Sequence, residues 1–212
     1  LRHLAGKVRF DTRESSVTVG QTDTPLRLVN YSNQVFGSDA QMRGYGFPFA
    51  PRHGMLQLEM GNFRIAAIEA RPENLGAGIE VKRRLPKFEF IKTWDGQRGF
   101  LDMYGGFQRY RMERLADDIE VSSWALGIGG AIQITPVVVK ATIGRYRNGR
   151  KAGWRGGGTP MINSADGNII DADAWQGAIV MKALASSRIS FETGFGYQQE
   201  KSDTRGPDEQ SR

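Results

Sequence analysis

Residues 121–144, VSSWALGIGGAIQITPVVVKATIG, constrain this chain more than any other stretch. Trp124, Leu126, Ile128, Gly130, Ile132 and Ile134 share one parity, and Ser123, Ala125, Gly127, Gly129, Ala131 and Gln133 the other. Successive strand side chains point to opposite faces, so this period of two describes a strand with one apolar face and one small or polar face. Thr135-Pro136 interrupts it. Beyond the break Val137, Val139, Ala141 and Ile143 line one face of a second strand, and Val138, Lys140, Thr142 and Tyr146 the other. The surrounding chain is polar, with a mean hydropathy of -0.45. The apolar face must therefore meet either a protein core or lipid.

The same alternation recurs around Val8–Phe10, Val17–Val19, Leu56–Met60, Phe63–Ile68, Phe88–Phe90, Leu101–Phe107, Trp175–Met181 and Ile189–Tyr197. With the opening pair this predicts ten strands and no helix. The connections alternate between tight and long. Tight turns are predicted near Glu14-Ser15, Gly61-Asn62, Asp95-Gly96, Thr135-Pro136 and Ser186-Ser187. Long connections are predicted at about 24–53, 71–86, 111–118 and 147–172, with an open segment from about 199. In an antiparallel meander every second connection lies at the same end, so all tight turns fall at one end and all long loops at the other. Short turns at one end, long loops at the other and alternating strands of about ten residues are the pattern of a transmembrane β-barrel. Trp94, Trp124, Trp175, Tyr197, Phe63 and Phe88 fall near strand ends, where an amphipathic ring suits a membrane-water boundary.

The expectation is an all-β, antiparallel, up-and-down transmembrane β-barrel, residues 1–212 forming a single barrel domain, with long extracellular loops at about 24–53 and 147–172. The apolar set faces lipid and the polar set faces a watery lumen. The candidate lumen charges are Arg9, Asp11, Glu59, Arg64, Asp102, Lys140, Lys182 and Glu192, with Lys7 and Arg188 beside them. The balance leans slightly positive, which favours anions weakly. The 24–53 loop carries Asn33, Asp39 and Arg43 and is long enough to fold inward and narrow a pore, or to cover the outer rim or a subunit contact.

VTVGQTDTPL (17–26), followed by a long polar-aromatic loop, resembles the strand-to-loop passage of bacterial general porins. LPKFEFIKTWDGQRGFLDMYGGFQ (85–108) is similar to a porin hairpin, with proline at the strand entry, a tight turn, and a Gly- and aromatic-rich strand. The resemblance implies an outer-membrane porin, a trimeric barrel of about 16 or 18 strands that passes small hydrophilic solutes by diffusion. Its implied surroundings are outer-membrane lipid and lipopolysaccharide in a Gram-negative cell, with a homotrimer, no nucleic acid and no cofactor. Ten strands are too few for such a barrel, and the ending RGPDEQSR lacks its terminal aromatic strand. The expectation is therefore an incomplete chain.

Composition closes off other chemistry. There are no cysteines and only two histidines, His3 and His53, so thiol catalysis is excluded and a histidine metal centre is disfavoured. Net charge is +6, but the basic residues form no long block of the kind that binds nucleic acid. Gly153-Trp154-Arg155-Gly156-Gly157-Gly158 lacks the Lys-Ser/Thr of a phosphate loop and reads as a flexible surface loop. Asp166, Asn168, Asp171 and Asp173 cluster oxygens that could bind calcium weakly, though an ordinary solvated turn explains them better. Asp117-Asp118 and His53 do not compose a catalytic site, so neither catalytic nor metal residues are assigned. Two other readings stay open: a secreted soluble β-sandwich that binds carbohydrate through exposed Trp and Tyr, and a barrel hydrolase using His53.

Overall fold

In the computed structural model, described residues are 4–10, 14–29, 46, 48, 50–70, 80–82, 85–113, 118–150, 152–154, 157–162, 169–186 and 189–202. The chain begins with β1 (Leu4–Phe10), β2 (Ser15–Thr22) and one helical turn, α1 (Pro25–Leu28). It continues through β3 (His53–Met60), β4 (Phe63–Ile68), β5 (Glu80–Lys82), β6 (Lys87–Gly96), β7 (Gly99–Glu113), β8 (Asp118–Ile134) and β9 (Val137–Arg147). A two-stranded hairpin of β10 (Met161–Ile162) and β11 (Ile169–Ile170) precedes β12 (Ala172–Leu184) and β13 (Ser190–Ser202).

Ten strands pair in the order β1-β2-β3-β4-β6-β7-β8-β9-β12-β13, each antiparallel to the next. They fall where the alternation places them. β5 is an eleventh strand inside the segment expected as loop; it pairs Glu80 with Glu113 and Lys82 with Arg111, on the part of β7 that β6 does not reach. Pro86 lacks an N–H and separates these two partners of β7. The turns are local chemistry. Gly61, at φ 53, supplies the left-handed residue of a two-residue hairpin closed by the Met60–Phe63 pair.

The expected barrel is overturned. The 11 strands form an open antiparallel sheet, whose order begins at β1 and ends at β13 without returning. Among the described residues β1 pairs only with β2 and β13 only with β12, so the two outer edges find no partner in one another. One face of the sheet, the concave one, holds whole chain segments: the start of the first long loop, with Leu26 and Val29, and the turn around Ala152 and Trp154 pack on Tyr104, Tyr146, Ala174, Ala178 and Val180.

The sheet is inside out by the standard of a water-soluble domain. Leu101, Met103, Phe107, Leu126, Ile128, Ile132, Ile143, Ile179 and Met181 are exposed on the convex face. Asp102, Gln108, Ser123, Thr142, Gln176, Lys87 and Glu89 are buried on the concave one. Trp94, Trp175 and Phe88 are exposed on the convex side close to strand ends, as expected, whereas Tyr197 is exposed in the middle of β13 and Trp124 stands well inside β8.

Candidate functional site

The concave face is built by alternate residues of adjacent strands, and glycines decide what fits on it. A Cβ on Gly106 would collide with the Trp154 indole, and one on Gly127 with the Tyr104 ring. Without side chains there, both rings pack directly against the strand backbone. The Tyr104 hydroxyl shares a 2.8 Å hydrogen bond with Thr142 Oγ1 on β9, and Thr142 Oγ1 donates to the Ile128 carbonyl at 3.0 Å.

At the centre sits Glu89 on β6, fully buried. Its Oε2 accepts the Leu26 backbone N–H at 3.1 Å, and its Oε1 accepts the Trp154 indole N–H at 2.9 Å. The Lys87 ammonium, two residues away on the same face and also buried, lies 2.9 Å from Oε1. Lys87 also donates to the Ala152 carbonyl at 3.3 Å and stands 5.6 Å from the centre of the Trp154 ring. One carboxylate therefore fastens two long connections to the wall. Desolvating such a pair is costly, and three donors on Glu89 offset that cost.

Each connection is also tied at its base. Asp23 holds Arg27 and Arg52, both at 2.6 Å, and Arg27 donates to the Ala50 carbonyl at 3.1 Å. These bonds join the two ends of the first long loop. The second turns on Asn148, fully buried at φ 52, a conformation that asparagine tolerates. Its amide donates to the Ser122 carbonyl and to Asp171, its side-chain oxygen accepts the Ala172 N–H, and its carbonyl accepts from Ser123 Oγ.

The sequence-derived charges fall on the concave face wherever they are described. Glu59 on β3 gathers Lys7 of β1 at 2.7 Å and Arg64 of β4 at 3.2 Å, and Ser16 Oγ donates to it at 3.3 Å. With Thr18, Asp23 and Gln57 they line an open pocket of about 490 Å³. Arg9 faces Ser16 across the β1–β2 ladder. Asp102 is buried and accepts from Thr93 Oγ1 at 2.6 Å. Lys182 is the ladder partner of Glu192, and Lys140 that of Val180 on the same side of the sheet. The structure thus gathers Lys7, Glu59 and Arg64 into one cluster and leaves the other charges spread along the wall. Asp11, Arg188 and the loop residues Asn33, Asp39 and Arg43 lie outside the described residues.

One sequence reading needs correction. The glycine-rich segment at 153–158 is no free surface loop at its described positions, because Trp154 is fully buried. Its tightness is backbone-made: Trp154 N donates to the Gly149 carbonyl at 2.9 Å and Gly157 N to the Trp154 carbonyl at 3.2 Å. The aspartates considered for calcium serve other partners. Arg147 binds Asp173 at 3.0 and 3.1 Å, and Asp171 accepts from Asn148, while Asp166 and Asn168 lie outside the described residues. Among the described residues no group of three or more histidine, cysteine, aspartate or glutamate side chains could hold a metal ion. Sequence reading also missed Glu89, Asn148 and Trp154 as the fastening points of the loops. The charged alternation Lys87-Phe88-Glu89-Phe90 was the one signal for the first.

No family model matches the sequence, and no curated protein matches it. Among solved structures the chain is similar to the outer membrane channel DcaP of Acinetobacter baumannii, with a TM-score of 0.70 and 16% identity. The match covers 88% of this chain and 54% of that one, so the chain spans about half the length of the channel it resembles. At this identity the likeness is one of fold: an antiparallel wall shared with part of an outer-membrane channel.

Proposed function

We propose that this chain is part of a porin-like channel of the outer membrane of a Gram-negative bacterium, passing small hydrophilic solutes or ions by passive diffusion and catalysing no reaction. The inverted polarity of the sheet carries this reading. A convex face of exposed Leu, Ile, Met and Phe is costly in water and stable in lipid. The apolar run on β8 has the right height. From Trp124 to Ile134 it spans about 33 Å along the strand. At a tilt of about 40° that makes a band about 25 Å tall, the height of the apolar belt of such walls.

The concave face then bounds the water path. Arg9, Asp11, Glu59, Arg64, Asp102, Lys140, Lys182 and Glu192 line it, and the 24–53 loop, with Asn33, Asp39 and Arg43, narrows it. The described ends of that loop support this, since Leu26, Val29 and Ala50 pack against the inner wall. In lipid the outer backbone edges of β1 and β13 need partner strands from outside these residues, because unpaired N–H and C=O groups are not tolerated there. Contact with membrane lipid and lipopolysaccharide, and assembly as a homotrimer, belong to the same proposal. The soluble sandwich reading is disfavoured: it needs a second sheet over the apolar face, and among the described residues the only other sheet is the β10–β11 pair.

Planar-bilayer recording of the whole protein tests the proposal. Discrete conductance steps that scale with bulk electrolyte conductivity support it. A cooperative β-fold in detergent-free buffer together with a silent bilayer overturns it.

A further inference from the structure

The pocket of about 490 Å³ on the concave face lies across β1 to β4, beside the base of the first long loop. Its floor is one row of ladder partners: Lys7 on β1 faces Thr18 on β2, and Thr18 faces Gln57 on β3. Glu59 and Arg64 border the row on the tight-turn side, and Asp23 stands on the long-loop side. Gln57 is 7% exposed, and its side-chain oxygen has no hydrogen-bond partner. Leaving such an atom unpaired is costly, so the floor holds a polar group that a ligand would satisfy.

We propose that this pocket binds a neutral, polyhydroxylated solute, a sugar or a polyol, by its hydroxyl groups. The lining charges balance, Lys7 and Arg64 against Glu59 and Asp23, so the pocket carries no net charge to draw an ion of either sign. Its polar groups are mixed in kind. Lys7 and Arg64 donate, Glu59 and Asp23 accept, and Thr18 and Gln57 do both. A hydroxyl answers all of them, because it donates and accepts at one atom. An anion offers no proton to the Gln57 oxygen and is repelled by Glu59. A half-turn of the Gln57 amide exchanges its oxygen and nitrogen, and a hydroxyl meets either end. The Lys7 ammonium and the Arg64 guanidinium each carry more N–H groups than their contacts with Glu59 use. Ala5 and Leu28, both exposed at the rim, offer apolar surface to the C–H faces of a sugar ring.

The site rests on the channel reading above, and its test separates the two. The whole protein in detergent is titrated by calorimetry with sucrose, with tetraethylene glycol, whose ether oxygens accept but do not donate, and with succinate. Sucrose is expected to bind about tenfold more tightly than tetraethylene glycol, the effect of one or two hydrogen bonds. Succinate is expected not to displace it. Gln57→Met keeps the length of the side chain and loses its polar end, so it should weaken sucrose about tenfold and leave tetraethylene glycol unchanged. Thr18→Val should weaken sucrose several-fold in the same selective way. Equal binding of sucrose and tetraethylene glycol by the native protein overturns the site, as does displacement of sucrose by succinate. Unchanged sucrose affinity in folded Gln57→Met and Thr18→Val, or an equal loss for both probes, overturns it as well. Should Gln57→Met fail to fold, Thr18→Val and the comparison of probes on the native protein still decide. A native protein that conducts in a bilayer without preferring sucrose rejects only the solute site. Selective sucrose binding without conductance rejects only the channel.

Discussion

The Trp154 indole N–H donates to Glu89 Oε1 at 2.9 Å, across 65 residues of sequence, with both side chains fully buried. The bond joins the tip of one long connection to the middle of a wall strand. The second oxygen of the same carboxylate holds the start of the other connection through Leu26 N–H. The two loops thus share one fastening point on the concave face, in addition to the bonds that tie each at its base.

Removing that acid should loosen both loops together. Glu89→Ala strands the Lys87 ammonium and two N–H donors in a buried site, a change expected to cost about 3–5 kcal/mol. The measurement is limited proteolysis in detergent: cleavage within 23–52 and 148–158 should rise in parallel. Replacing both charges, Lys87→Met with Glu89→Leu, should recover much of the loss. Cleavage of only one loop in Glu89→Ala would show that the two are held separately.

Trp154 tests the packing half of the same knot. Trp154→Ala empties the space above Gly106 and is expected to destabilise the second loop by about 3–5 kcal/mol. Trp154→Phe keeps most of the ring and loses the bond to Glu89, so a smaller cost of about 1–3 kcal/mol is expected. Chemical denaturation followed by fluorescence of the remaining tryptophans distinguishes the two variants.

Ile128 stands near the middle of the convex apolar run on β8 and is half exposed. Ile128→Arg is expected to cost about 2–4 kcal/mol in a bilayer, the depth-dependent penalty for a cation on a lipid-facing strand. On a water-exposed surface the same change would stay within about 0.5 kcal/mol. Folding into vesicles, titrated with urea, reads the difference, and a neutral outcome would count against lipid contact at this position.

Arg64 and Lys140 both point to the concave face, Arg64 beside Glu59 and Lys140 farther along the wall. Reversing either charge, Arg64→Glu or Lys140→Glu, should shift the zero-current potential in a salt gradient toward cation selectivity. Arg64→Glu should shift it more, since it leaves Glu59 with one cation, Lys7, in place of two. Unchanged potentials in both variants would remove these residues from the conduction path.

The wall was readable from sequence because strand alternation is a local property. Each residue from Trp124 to Ile134 declares its face by parity alone, and the exposed side of β8 follows that parity. Glu89 was not readable in the same way. Lys87-Phe88-Glu89-Phe90 alternates like any half-wet strand, and nothing local separates a carboxylate in a watery lumen from one sealed beneath an indole. Trp154 misled for the opposite reason: glycine-rich surroundings suggest freedom, yet those glycines make the tight turn that seats the ring. Arg145 and the tryptophans on either side of it, Trp124 and Trp175, lie on three strands, so their meeting depends on ladder register rather than on neighbours in the chain.

Sequence by itself determined the number and parity of the ten principal strands, the alternation of short and long connections, and the placement of apolar residues on one face. All of these follow from backbone geometry acting over two to ten residues. Tertiary structure alone decided that the sheet stays open between β1 and β13, that two loops converge on Glu89, and that Arg145 lies between Trp124 and Trp175. Those outcomes depend on which distant residues the strand order and register set side by side, and that is not written in any local stretch of the chain.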